Sequence, residues 1–350
     1  MRKREYYIDG IKFICAILII MTHTFPAAEV NDFLRYFIQN HFGYAGTSMF
    51  FMLSGFLMAR GYKTRLSKEE GRTPFINYLF NRIKKIYPIY FITNLVCIIF
   101  QLIYYPSTIN IKLCLEIFLM VTGGSIFDYL PYNFPTWFVN TLLVCYAIYY
   151  FVVVLSLGKK QSNRLYNILL VLLIIYGWFL MQNHFDFPFM YLHTGEGVFN
   201  FFIGVLLNEF FDRIKKTHTI IIGIVFSLLS VLILTNASVF VTNNYRTIFS
   251  LINCPSIIIL GHNVRFLNKG LAAIGSFFNT LSMPLIFWQI PVWNFYFHYT
   301  EQNFYQNSPM AHWICYLGIL FLVSIIYNYI SDNTNKRIKS KKEQAKLAPV

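Results

Sequence analysis

The stretch IKFICAILIIMTHTF, Ile11 to Phe25, decides how this chain must be read. Beyond Lys12 at its basic end, its one ionisable group is His23. At 3.6 residues per turn, the eleven steps from Lys12 to His23 rotate a helix by about 1100°, three turns plus about 20°. The two side chains then share a face, about 16 Å apart along the axis. Such a segment is expected to cross a bilayer, with the ammonium at the membrane edge and the imidazole near the middle. Ionisable groups inside a span are costly and mark function by default. The plainer alternative is a histidine hydrogen-bonded to a neighbouring helix for packing.

The same apolar signal recurs along the 350 residues, which are 56% hydrophobic and 13% charged. That is too apolar for a soluble domain. Ten runs approach membrane-spanning length: 10–28, 43–60, 86–105, 134–157, 165–182, 197–211, 218–236, 246–262, 271–295 and 309–330. The shorter run 111–122 precedes Gly123 and Gly124 and reads as an interfacial or re-entrant helix, with an extra span as the alternative. The expectation is an all-α integral membrane protein of about ten transmembrane helices without a soluble domain. Residues 1–332 form the membrane domain and 333–350 a basic cytoplasmic tail.

Charge orients this topology. With the amino terminus inside, 26 of the 29 lysines and arginines fall on cytoplasmic pieces; only Arg35, Lys112 and Arg246 fall outside. Acidic residues show no such bias, as the positive-inside rule expects. The net charge of +14 therefore reports orientation in a plasma or inner membrane with both termini cytoplasmic, and nucleic acid is not expected as a partner. Membrane lipids are. Arg60 to Lys85 reads as the longest and most basic inner loop. The outer connections 29–42, 106–133, 183–196, 237–245 and 296–308 are rich in Tyr, Phe, Asn and His, as suits interface belts and carbohydrate contact. The start MRKREYY with its apolar run resembles a signal peptide, but Asp9 and Lys12 intrude and further spans follow, so a retained first helix is expected.

Other chemistry-bearing positions are fewer. In FFMLSGFLM, Phe50 to Met58, the small Ser54 and Gly55 allow close approach of another helix or of a ligand. In NRIKKIYPIY, Asn81 to Tyr90, the cations Arg82, Lys84 and Lys85 stand where the third span leaves the cytoplasm, and Pro88 fits the first turn of that helix. Positive groups there suit the phosphates of a cytoplasmic donor, or they serve topology alone. In PTWFVNTLLVCYAIYY, Pro135 to Tyr150, Trp137 sits at an outer interface, where anchoring is its ordinary role. His41, His184, His193, His298 and His312 are expected outside and His218 and His262 inside, solvated and without metal-ligand spacing. The six cysteines show no paired or metal spacing, so no metal is expected.

Taken together, the basic Lys12 separated by ten residues from His23, the SGF-type second span, and the basic segment closing on Arg82 and IYP resemble acyltransferase family 3. The resemblance is strongest over 4–91. It continues through Trp137-Phe138, FFIGVLLN (Phe201 to Asn208) and SMPLIFWQIPVW (Ser282 to Trp293). It implies a bacterial membrane O-acyltransferase of about ten spans. The donor would be acetyl-CoA or another acyl-CoA, and the acceptor a hydroxyl of a cell-envelope polysaccharide or a lipid-linked sugar. It further implies His23 as the catalytic residue, Lys12, Arg82 and Lys85 as its basic partners on the donor side, and Ser54, Gly55 and Phe56 as donor-channel wall. Two positions depart from the pattern. Gln289 stands where many members carry a His, and Leu142 where many carry a Glu.

The residues themselves agree with transfer chemistry. A thioester acceptor reaction needs a base for the attacking hydroxyl, and His serves near neutral pH. The alternatives are a multi-span transporter and a non-catalytic partner in exopolysaccharide export. A transporter lacks an evident mid-span carboxylate for ion coupling.

Overall fold

The computed structural model describes residues 4–26, 30–68, 72–123, 126–127, 129–157, 163–183, 185–235, 243–300 and 308–347. All secondary structure among these residues is helical. The long helices are α1 (Tyr6–Thr24), α2 (Gly43–Ser67), α3 (Phe75–Tyr104), α4 (Ile111–Phe118), α5 (Trp137–Leu157), α6 (Asn163–Gln182) and α7 (Leu192–Phe211). They continue with α8 (Lys216–Thr235), α9 (Cys254–Asn263), α10 (Arg265–Phe278), α11 (Ser282–Tyr299) and α12 (Pro309–Leu347).

Six helices among the described residues are long and apolar enough to cross a membrane, or seven if one bent pair counts as a single span. The bent pair is Arg246–Asn263 with Arg265–Phe278, turned through 95°. The protein is thus a multi-pass helical membrane protein, and the ten spans read from the sequence exceed what length and apolarity support. Helices α7 and α11 are not among these, and each carries polar residues on a buried face, Glu196 and Asn200 on one and Gln289 on the other. A helix surrounded by other helices has no need to be apolar all round.

Several expected boundaries move. The run 271–295 is divided: α10 ends at Phe278 and α11 begins at Ser282. The outer connection 29–42 is largely helical, since Asp32–Phe37 runs through a π-helical turn, Ile38–Phe42, directly into α2. The inner loop Arg60 to Lys85 shrinks to the short link 68–74, because α2 continues to Ser67 and α3 starts at Phe75. Pro88 therefore lies inside α3 and not in its first turn. The run 111–122 yields α4, eight residues and too short to span, with Ile111 and Leu115 exposed. The outer connection 183–196 ends early, as α7 begins at Leu192.

The core forms where α1 and α7 pack on opposite sides of α2. Gly55 and Gly204 interlock α2 and α7. A Cβ on Gly55 would lie 1.9 Å from the Phe201 carbonyl oxygen, and one on Gly204 1.9 Å from that of Met52. Small residues at such crossings let backbones approach where lipid supplies no hydrophobic drive. The two stretches FFMLSGFLM and FFIGVLLN thus meet face to face. Gly55 and Phe56 belong to this contact, Phe56 fully buried with its ring 5.0 Å from that of Phe211.

Candidate active site

Helix α1 stops one residue after His23. Pro26 holds Phe25 in extended backbone (ψ 135°), so the helix ends at Thr24. His23 consequently sits in the last turn of α1 and not at its middle, as the sequence suggested. Trp313 Nε1 donates to Thr24 Oγ1 at 3.1 Å and ties this end to α12.

His23 Nδ1 lies 3.2 Å from Gln289 Oε1 on α11. The Gln289 amide nitrogen donates to the Ile286 carbonyl at 3.0 Å. A carbonyl can only accept, so the nitrogen of the amide must face Ile286 and its oxygen must face the imidazole. Nδ1 of a neutral His23 then carries the proton, and Nε2 keeps its lone pair. The Phe134 ring meets the imidazole edge-to-face at 4.8 Å. Asn133 Nδ2 donates to the Phe287 carbonyl at 2.9 Å and clamps that turn onto α11.

His23 lines a cavity of about 220 Å³. Thr22 and Ile19 flank it on α1, and Tyr44 and Thr47 face it from α2. Trp137 and Phe138 enter from the start of α5. The far wall belongs to α7, which contributes His193 and Glu196, with Arg246 beside them. Thr47 Oγ1 donates to Glu196 Oε1 at 2.8 Å. The His193 ring stacks on Trp137 at 4.3 Å, and the Arg246 guanidinium lies over the Tyr44 ring at 5.0 Å.

A larger depression of about 700 Å³ opens near the other end of α1. Lys12 lines it with Arg4 and Arg60, opposite Glu5, Asp9 and Asp212. Arg60 pairs with Glu5 at 3.1 Å, Arg4 with Asp9 at 2.7 Å, and Lys12 with Asp9 at 4.0 Å. Three cations thus face three carboxylates, and the depression has no formal excess of positive charge. Lys12 and His23 stand on one unbroken helix, about 16 Å apart along its axis.

The remaining expected donor-side residues line neither of these cavities. The Arg82 guanidinium packs over Tyr62 at 3.9 Å, within 5.7 Å of Tyr78 and 5.9 Å of Tyr146. Its buried Nε has no hydrogen-bond partner among the described residues. Lys85 is exposed on the same helix. Ser54 Oγ donates back to the Phe50 carbonyl at 2.7 Å, a bond within its own helix.

The sequence reading missed the far wall of the small cavity. His23 is not the sole ionisable group inside the bundle, because Glu196 is buried on α7. The sequence reading left Glu196 at the end of the outer connection 183–196, one residue before the span 197–211. In the fold Gly195 and Gly197 serve close packing: a Cβ on Gly197 would lie 2.2 Å from Thr141 Cγ2 on α5. Glu196 therefore enters one position from that contact, while Leu142, next to Thr141, is buried in the apolar core. Two of the outer histidines expected to be solvated are buried, whereas His298 is exposed. His41 is buried beside Phe37 at 4.9 Å, and His312 is fully buried with Nδ1 2.9 Å from the Tyr296 hydroxyl. His184 lies outside the described residues.

Comparison with curated proteins and with solved structures gave no match. The model of one family, described as an acyltransferase domain, matches residues 5–329. It takes in both cavities apart from Arg4, and every long helix except the end of the last. The chain belongs to acyltransferase family 3 and is a multi-pass membrane acyltransferase.

Proposed function

We propose that this protein transfers an acyl group, acetyl foremost, from cytoplasmic acyl-CoA to a hydroxyl of a cell-surface or lipid-linked polysaccharide. It does so in the inner or plasma membrane, with both termini cytoplasmic and about ten crossings of the bilayer. α7 and α11 count among the crossings as spans sheltered by their neighbours.

The observation that carries this reading is the bond between His23 and Gln289 at the edge of a small cavity. The amide holds the imidazole with Nε2 unprotonated. Nε2 takes the proton of the acceptor hydroxyl as its oxygen attacks the thioester carbonyl. The tetrahedral adduct collapses, the C–S bond breaks, and the departing thiolate recovers the proton from His23. The products are an ester and free CoA thiol. Gln289 carries no charge, so it fixes the tautomer without an ion pair.

The donor would enter from the opposite end of α1. Arg82 has no carboxylate partner among the described residues and sits in a frame of tyrosine rings. It is better disposed to receive a phosphate than Arg60, which is already paired with Glu5. Lys12 remains the basic group in line with His23.

Acyl transfer in cells with and without this chain tests the reading. Envelope polysaccharide should lose one acyl mass per modified residue when the chain is absent. An unchanged polysaccharide, with no acyl-CoA binding by the purified protein, would leave a transporter or a non-catalytic export partner as the better account.

A further inference from the structure

The wall of the small cavity opposite His23 has no part in proton transfer as described, yet it is chemically specific. Glu196 presents a buried carboxylate there. Burying such a group is costly unless its oxygens are hydrogen-bonded. Thr47 satisfies Oε1, at 2.8 Å. Oε2 makes no hydrogen bond among the described residues, and the side chain faces the cavity.

We infer that Glu196 is an acceptor-selecting group: its free oxygen receives a hydrogen bond from a second hydroxyl of a saccharide whose neighbouring hydroxyl lies at His23. This deepens the acyl-transfer reading and rests on it.

Three features favour a polyhydroxylated, uncharged ring. A carboxylate only accepts hydrogen bonds, so its ligand must donate one, as a hydroxyl does. Arg246 lines the same cavity and offsets the carboxylate charge, so the site has no net charge to attract an anion, and an anionic group would meet Glu196. Trp137, one face of which is stacked on His193, and Phe138 supply apolar lining for the C–H side of a sugar ring. The cavity, about 220 Å³, has room for a sugar ring. An acceptor with a single hydroxyl would satisfy His23 and leave Glu196 unsatisfied, which disfavours its binding.

The full-length protein in lipid nanodiscs, with acetyl-CoA as donor, tests this directly. Methyl glycosides of glucose, galactose and mannose serve as acceptors, each beside its monodeoxy analogues, with thiol release and ester mass as readouts. Glu196→Gln should raise the acceptor KM roughly ten- to a hundred-fold and leave acetyl-CoA affinity unchanged. Glu196→Asp, which keeps the charge and shortens the reach, should fall between. One monodeoxy analogue should cost the wild type a similar factor and cost Glu196→Gln nothing more, because both changes delete one contact. An unchanged KM in both variants, or losses that multiply for every analogue, would overturn the assignment. So would transfer to 1-butanol as efficient as transfer to a glycoside. If the wild type binds acetyl-CoA but esterifies no glycoside, the saccharide site is wrong and the acyltransferase reading stands. If it binds no acetyl-CoA, that reading has failed and the site falls with it.

Discussion

His23 Nδ1 and Gln289 Oε1 lie 3.2 Å apart, joining the last turn of α1 to the middle of α11 across 266 positions of sequence. The Ile286 carbonyl fixes the amide, and the amide fixes the imidazole. Gln289→Leu keeps the bulk and removes this control. It should lower kcat by roughly ten- to a hundred-fold, a part of the 10²–10⁴ that a positioned base contributes. Acetyl-CoA affinity should be unchanged. Gln289→His, which offers a ring nitrogen as acceptor, should recover part of the loss and alter the pH profile of kcat. A Gln289→Leu protein with unaltered kcat and an unaltered profile would show that the amide only packs.

Removing the base itself should be more severe. His23→Ala should insert normally and lose acyl transfer in a cell assay, since a factor of 10²–10⁴ leaves little signal. His23→Gln keeps hydrogen bonding and approximate volume but accepts no proton, and should be equally inactive. Transfer that survives in the Gln variant would make His23 structural and move the search for a base to His193 or Glu196, on the far wall.

On the donor side, Arg82→Gln with Lys85→Gln should weaken acyl-CoA binding, and the wild-type affinity should fall as salt rises. Arg60→Gln should matter less to donor affinity, because Arg60 is paired with Glu5 at 3.1 Å. Equal affinity in the double variant and the wild type would reduce Arg82 and Lys85 to topology signals.

Packing makes its own prediction at the crossing of α2 and α7. Gly55→Ala places a methyl group 1.9 Å from a backbone oxygen that no rotamer can move aside. Overpacking of this kind costs about 1–3 kcal/mol, so the melting temperature in detergent should fall. Gly61, with nothing within 4 Å of an added Cβ, is the control: Gly61→Ala should melt no lower than wild type. Equal melting of the two variants would mean that the α2–α7 crossing relaxes freely.

Orientation is open to labelling in a cysteine-free background. Cysteine at position 67, at the end of α2, should be protected from an impermeant outside reagent, and cysteine at position 308, before α12, should react. Reaction of both from one side would break the assigned topology.

The sequence by itself determined the class of protein, its family and its catalytic candidate. Apolar runs must become helices in lipid because every backbone N–H and C=O needs an internal partner there. Lys12 and His23 were placed on one helix by spacing alone, and α1 is continuous between them. Spacing within one segment is a local property, so it survives any arrangement of neighbours. What faces His23 is not local. The tertiary structure decided that Gln289 meets His23, that Thr47 and Glu196 join on the cavity wall, and that Gly55 serves a helix crossing. It also placed residues 32–42, 60–67 and 75–85 of the presumed loops in helix. Glu196, at the end of the stretch 183–196, looks solvated in a linear reading. Burial against other helices, which no single stretch encodes, is what makes it part of the cavity wall.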